Sequence, residues 1–131
     1  MIVKIDHIGI AVKSVDEAVK LYTDKFGLKV EAIEVVEEQK ARTAVIPIGE
    51  TKIELLETTD PEGPIGKYIA ARGEGLHHFS LEVTDIQDTL EMLQEKGVLL
   101  IDAKPRDGVG GSKIAFLHPK TAKVLIELVE H

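Results

Sequence analysis

The sequence predicts an α+β fold in which two tandem βαβββ modules form one curved mixed sheet. Residues 7–12 and 78–83 resemble each other and share the alternation of apolar with small or polar side chains that is typical of strands. Capping-box patterns follow at residues 14–17 and 84–87, so we expect a helix to begin after each strand at Ser14 and Thr84. Gly27 and Gly97 then stand where those helices should end.

The other elements follow from alternation and from turn signals. Further strands are predicted at residues 29–36, 42–48, 52–57, 98–101, 113–117 and 124–129. Gly49 and Glu50 indicate a tight turn, and residues 65–71 a short helix inside a linker rich in proline and glycine. We therefore expect a single domain over residues 1–131, with module one at 1–58, the linker at 59–75 and module two at 76–131.

Composition excludes several classes of function. The formal net charge is −7, which argues against general binding to nucleic acid or to an anionic membrane, because both need clustered positive charge. The chain contains no cysteine, so disulfides, thiolate metal sites and thiol nucleophiles are excluded. No stretch resembles a membrane span or a secretory signal, and we expect a cytoplasmic protein.

The repeat duplicates the residues most suited to metal chemistry. His7 and His78 occupy equivalent places on the first strand of each module, and Glu54 and Glu127 equivalent places on the last. Their immediate neighbours are apolar, so each polar side chain points to the opposite face of its strand. Two modules could bring these four residues together as a His₂Glu₂ set for Zn²⁺, Co²⁺, Mn²⁺, Ni²⁺ or Fe²⁺.

Each of these residues alone has a simpler interpretation. A glutamate on an amphipathic strand usually faces solvent, and a strand histidine is more often satisfied by a hydrogen bond than by a metal. Their recurrence at matched repeat positions favours the metal site. His77 points to the opposite face from His78 and is expected to be structural, while His118 precedes Pro119 in a turn and His131 is the last residue.

The repeated histidines and glutamates also support a family resemblance. Paired modules with a histidine at the head of each and a glutamate on each last strand resemble the vicinal oxygen chelate (glyoxalase/bleomycin-resistance-like) superfamily. The sequences Gly-Glu-Gly-Leu-His-His at 73–78 and Leu-His-Pro-Lys at 117–120 are similar to the methylmalonyl-CoA epimerases within it. The resemblance covers nearly the whole chain, and the residues that carry it are 6–12, 51–57, 63–69, 72–79, 116–120 and 125–128.

The resemblance implies an isomerase that interconverts the C2 epimers of methylmalonyl-CoA through a metal-stabilised enolate. It assigns His7, Glu54, His78 and Glu127 as metal ligands, with Co²⁺ expected and Mn²⁺, Zn²⁺ or Ni²⁺ as the other candidates. It also implicates Glu127 in proton transfer. A homodimer is expected, because homodimers are common among the proteins that the chain resembles.

The resemblance leaves the second acid–base group open. Some members carry a carboxylate on the third strand, where this chain has Thr43. A threonine cannot act as the base at neutral pH, so either another group such as a bound water serves, or Glu127 is the only carboxylate involved. Two irregular segments, the linker and residues 104–112, carry or adjoin cations that could receive the negative charges of CoA. These cations are Lys67, Arg72, Lys104, Arg106, Lys113 and Lys120.

Two other functions compete with the epimerase. A lactoylglutathione lyase would use the same ligand set, so the metal residues do not discriminate between the two enzymes. A metal-free protein that binds a small ligand in the same fold is the alternative outside catalysis. The presence of all four ligand residues disfavours that alternative.

Overall fold

The computed structural model describes residues 1–131 and consists of eight strands and four α-helices. The strands are β1 (Ile2–Ala11), β2 (Ala32–Val36), β3 (Ala41–Ile48), β4 (Thr51–Thr58), β5 (Gly75–Val83), β6 (Arg106–Asp107), β7 (Lys113–Leu117) and β8 (Leu125–Glu130). The helices are α1 (Val15–Lys20), α2 (Pro64–Arg72), α3 (Ile86–Glu95) and α4 (Pro119–Ala122). A π-helical turn (Leu21–Lys25) continues α1. The α+β class and the two βαβββ modules are confirmed.

All eight strands belong to one mixed sheet, in the order β2-β3-β4-β1-β5-β8-β7-β6. Each module pairs its first and last strands in parallel, β1 with β4 and β5 with β8. The remaining pairs within the modules are antiparallel. None of the helices combines the length and the apolar character that crossing a bilayer would require.

The chain divides into two compact units. The central unit is His7–His77, and the terminal unit combines Met1–Asp6 with His78–His131. In the central unit α1 packs on one face of the sheet, where Val15 of the helix meets Leu55 and Ile46. Helix α2 contributes Ile65 to a second cluster, which includes Leu56 and Ala41.

In the terminal unit α3 covers one face of the sheet in the same way. Leu90, from the middle of the helix, is fully buried against Leu128 and Ala115 of the strands. Their strand neighbours Phe116 and Glu127 point to the other face, as period-two geometry requires. In both units the helix that follows the first strand, α1 or α3, thus occupies one face and leaves His7, Glu54, His78 and Glu127 on the other.

A second pair of glutamates anchors each helix to the last strand of its module. The carboxylate of Glu57 accepts a hydrogen bond from the Val15 N–H at 2.8 Å, and that of Glu130 accepts one from the Ile86 N–H at 2.8 Å. Each carboxylate therefore satisfies a backbone donor at a helix N-terminus, where the macrodipole also favours negative charge. The repeat thus extends to how its helices are held.

Three predicted boundaries need correction. Helix α3 is capped by Asp85, whose side chain accepts from the Asp88 N–H at 3.0 Å; Thr84 lies one residue outside the helix. Residues 98–101 form only an isolated bridge from Leu100 to Leu117, because the Phe116 N–H bonds the Asp102 carboxylate and does not extend a backbone ladder; β6 follows further along the chain. Strand β2 begins at Ala32, since residues 29–30 precede its ladder with β3. The turn at Gly49 and helix α2 are confirmed.

The assignment of the α3 cap can be tested by two adjacent substitutions. Asp85→Ala should lower the free energy of unfolding by about 1 kcal/mol, because the Asp88 N–H loses its partner. Thr84→Ala is the control, since its hydroxyl bonds only the exposed N-terminal amine. Urea denaturation measures both changes. A larger loss for Thr84→Ala than for Asp85→Ala would contradict the assignment.

Candidate functional site

In the central unit His7 and Glu54 lie together on the face opposite α1. The parallel register places His7 opposite Lys52 and Gly9 opposite Glu54, so the two residues are diagonal neighbours on adjacent strands. His7 Nδ1 lies 3.5 Å from Glu54 Oε2, and the side chains are only 10% and 21% exposed. This pair presents an imidazole and a carboxylate from positions that the sheet backbone fixes.

In the terminal unit His78 and Glu127 occupy the corresponding positions. The register places His78 opposite Leu125 and Ser80 opposite Glu127, which is the same diagonal relation. His78 is 5% exposed and Glu127 is 2% exposed. The sequence repeat therefore has a geometric counterpart, because each parallel strand pair carries one histidine and one glutamate at equivalent places. We call the surface that bears each pair the His–Glu face of its unit.

Two buried hydroxyls accompany these pairs. Ser80 lies directly opposite Glu127 in the β5–β8 ladder and is fully buried. Thr43 is 3% exposed and stands on the same face as Glu54, since its ladder partner Leu56 is two residues along β4. Neither hydroxyl oxygen has a hydrogen-bond partner. Buried polar groups without a partner are rare and are typical of sites that receive a ligand or an ion.

The ring of Phe116 completes the surroundings of the terminal pair. Phe116 is the ladder partner of Glu127 on β7. Its ring meets the His78 imidazole edge to face, with centroids 6.2 Å apart and planes at 82°. Neither Ser80 nor Phe116 was predicted from the sequence as a residue of the site. Alternation could have found Ser80, which is two residues after His78, but placing Phe116 required the β7–β8 register.

The other histidines have structural contacts. His77 packs edge-on against Tyr68, with ring centroids 5.0 Å apart, and burial lowers the pKa of its imidazole. His118 Nδ1 accepts the Lys120 N–H at 3.0 Å and caps the short helix α4, where the sequence predicted only a turn. His131 Nε2 lies 2.8 Å from Asp6 Oδ1 and links the end of β8 to β1 within the terminal unit.

Each His–Glu pair can contribute to metal binding. Imidazole nitrogen and carboxylate oxygen are common ligands of Zn²⁺ and of related first-row ions, and a carboxylate beside an imidazole favours the binding of a cation. Burial also removes competing water and strengthens electrostatic interactions. A carboxylate in such a position can accept or return a proton as well.

Comparisons with known proteins show the family to which the chain belongs. The family model of the glyoxalase/bleomycin resistance protein/dioxygenase superfamily matches residues 6–116. The mitochondrial methylmalonyl-CoA epimerase of Dictyostelium discoideum is 35% identical over 129 residues, which is 97% of this chain and 78% of that protein.

Solved structures give the same result. A methylmalonyl-CoA epimerase in complex with methylmalonyl-CoA and NH₄⁺ is 39% identical, with a TM-score of 0.92, over 99% of this chain and 95% of that one. A variant of the Streptomyces coelicolor methylmalonyl-CoA epimerase in complex with 2-nitronate-propionyl-CoA has the same identity, TM-score and coverage.

The unpartnered hydroxyl of Ser80 leads to a stability prediction. Ser80→Ala should leave the free energy of unfolding of EDTA-treated protein unchanged or raise it, because a buried hydroxyl without a partner is itself destabilising. Thr89→Val is the matched control. The buried Thr89 hydroxyl donates to the Asp85 carbonyl at 2.7 Å, and its loss should cost about 1 kcal/mol. Urea denaturation compares the two; a larger loss for Ser80→Ala would show that its hydroxyl has a partner.

Proposed function

The chain belongs to the glyoxalase/bleomycin resistance protein/dioxygenase superfamily and, within it, to the methylmalonyl-CoA epimerase family, and on this basis we propose that it interconverts the C2 epimers of methylmalonyl-CoA. The structural observation that carries the proposal is the duplicated His–Glu pair, which has the same strand register in both modules. The comparisons favour this isomerase over a lactoylglutathione lyase or a metal-free binding protein of the same fold.

We propose His7, Glu54, His78 and Glu127 as the ligands of one divalent metal ion. The proposal is supported by the burial of His7, His78 and Glu127. The side chain of each residue offers one ligand atom to a metal ion. It is also supported by the contact of Glu54 with His7. Co²⁺ is the ion we propose first, and Mn²⁺, Zn²⁺ and Ni²⁺ suit the same nitrogen and oxygen ligands.

The reaction requires a proton to leave C2 and to return on the opposite face. A proton next to a thioester is weakly acidic, and its removal places negative charge on the carbonyl oxygen; a bound dication stabilises that charge where it forms. Glu127 is proposed as the group that takes and returns the proton. Its burial beside Phe116 and Ser80 keeps bulk water away from the carboxylate.

Glu127 has two proposed roles, which restrict each other. A carboxylate that held a cation would be a weaker base, so Glu127 would have to give up part of that interaction in order to take the proton. The opposite face of C2 then needs a bound water; Glu127 alone could serve both faces only if the deprotonated substrate turned over between the two transfers. Thr43 cannot be the base, but its buried hydroxyl on the His–Glu face of the central unit can hold a water by hydrogen bonding.

We further propose that the protein acts as a cytoplasmic homodimer. The support for association is a pair of exposed apolar side chains that share one face at the start of β1, Val3 and Ile5. Exposed apolar residues that cluster on one strand are typical of surfaces that bind another protein chain.

The ligand set predicts which histidines control metal affinity. His7→Ala and His78→Ala should each weaken Co²⁺ binding at least about tenfold, because each removes a ligand nitrogen. His118→Ala should bind Co²⁺ like the wild type, since that imidazole caps α4. Calorimetric titration of EDTA-treated protein gives the affinities, and circular dichroism verifies folding. Wild-type affinity in His78→Ala, or an equal loss in His118→Ala, would remove His78 from the ligand set.

The proton-transfer role of Glu127 predicts a loss of turnover without a loss of substrate affinity. Glu127→Gln at saturating Co²⁺ should slow the exchange of the C2 proton of methylmalonyl-CoA in D₂O by about 100-fold or more, with little change in KM. Proton NMR measures the exchange, which EDTA-treated wild type should show only after Co²⁺ is added.

Glu130→Gln is the control for this experiment. Glu130 lies on the same strand but on the opposite face, where its Oε1 accepts from the Ile86 N–H, and the Gln amide oxygen can replace it. The control should exchange at the wild-type rate. Wild-type exchange in Glu127→Gln would exclude it as the base, and a rise in KM alone would make it a positioning residue.

A further inference from the structure

Arg106 is held over an aromatic ring beside the terminal His–Glu pair. It lies on β6 opposite Ile114, and its guanidinium carbon is 5.1 Å from the centroid of the Phe116 ring. Phe116 in turn contacts His78 and is the ladder partner of Glu127. The guanidinium is therefore only one aromatic ring away from His78 and Glu127, on the same face and within the terminal unit.

Asp102 fixes this position. Its Oδ2 accepts the Phe116 N–H at 2.8 Å and lies 3.3 Å from a guanidinium nitrogen of Arg106. The carboxylate thus connects the guanidinium to the backbone of the strand that carries the ring. The Asp102 side chain is 19% exposed, whereas that of Arg106 is 55% exposed. The anchor is therefore largely buried, while the cation that it holds is open to solvent.

This arrangement suits the recognition of an oxyanion. A guanidinium has five N–H donors in a rigid fork, stacks on aromatic rings and binds carboxylate or phosphate through two hydrogen bonds. Asp102 contacts one guanidinium nitrogen. An isolated, half-exposed ion pair contributes little to stability, so the ion pair with Asp102 gives a weak reason to place an arginine here. In a chain with a net charge of −7, an anionic substrate also needs a local cation.

We propose that Arg106 binds an oxyanion of the acyl-CoA substrate and that Asp102 is the residue that positions it. This inference rests on the proposed function. Two groups of the substrate share the required chemistry, the free carboxylate of the acyl group and the phosphates of CoA. The contact with Phe116, next to His78 and Glu127, favours the acyl carboxylate, because the phosphates are remote from the reacting carbon.

Substrate affinity tests the proposal directly. Arg106→Ala should raise the Kd of methylmalonyl-CoA about tenfold or more, as expected for the loss of charge-assisted hydrogen bonds, and should raise KM more than it lowers kcat. The Kd is measured by calorimetry on Co²⁺-loaded and on EDTA-treated protein, so that the result does not depend on turnover alone. Arg106→Lys should recover only part of the affinity, because lysine lacks the planar fork.

Two further variants separate binding from structure. Asp102→Asn can still accept the Phe116 N–H but no longer attracts the guanidinium, so its Kd should lie between those of wild type and Arg106→Ala. Lys96→Gln is the control. Lys96 follows the last turn of α3, which covers the opposite face of the sheet in the same unit. Its loss of one positive charge should change the Kd by less than about twofold.

Truncated substrates identify the oxyanion. If Arg106→Ala weakens binding of methylmalonyl-pantetheine but not of propionyl-CoA, Arg106 binds the carboxylate; the reverse result assigns it to a phosphate. Equal Kd values for Arg106→Ala and Lys96→Gln would overturn the inference while leaving the epimerase intact. A wild-type protein that neither binds nor exchanges methylmalonyl-CoA would reject the proposed function and this inference together.

Discussion

The parallel pairing of the first and last strands in each module is the constraint on which the rest of the structure depends. In β1–β4 and β5–β8 alike, the histidine lies two residues before the ladder partner of the glutamate. Backbone hydrogen bonds therefore set the spacing of imidazole and carboxylate. Because a slip of one residue would turn every side chain to the wrong face, the apolar residues under α1 and α3 also maintain the chemistry on the opposite face.

The two faces of the last strands carry different functions for the same residue type. Glu54 and Glu127 stand on the His–Glu faces, whereas Glu57 and Glu130, three residues later, bond the first N–H groups of α1 and α3. Odd spacing on a strand necessarily separates them. Each last strand thus holds its helix with one carboxylate and presents another to the site, so the packing of the helix and the orientation of the site are coupled.

The order of strands and helices and the four candidate ligands could be predicted from the sequence, because the patterns that indicate them are local and occur twice. Period-two alternation within single strands and the recurrence of both motifs predict His7, His78, Glu54 and Glu127 as metal ligands. The structure pairs one histidine with one glutamate in each module, and their binding of one metal ion stays a prediction. The cap of α3 was misassigned by one residue, since Thr84 and Asp85 are both good capping residues and only the backbone conformation decides between them.

Features that depend on non-local register were missed. Phe116 and Ser80 become neighbours of Glu127 only once β7, β8 and β5 are aligned, and Arg106 reaches Phe116 only through the short strand β6. The segment at 98–101 has the right alternation, with Leu100 packed on the core. Strand formation also needs backbone hydrogen-bond partners on the neighbouring strand along the whole segment. Neither condition can be deduced from the residues of one segment.

The position of β1 in the sheet has a consequence for synthesis of the chain. β1 lies between β4 and β5, so one of its edges stays uncovered on the ribosome until β5 has emerged. The part of β1 that pairs with β4 runs from His7 to Ala11 and includes Ile8 and Ile10, and an uncovered apolar edge can pair with other chains. A polypeptide that stopped after β4 would retain this edge permanently. The two modules are therefore repeats in sequence, but the first module needs the second to cover this edge and so prevent aggregation.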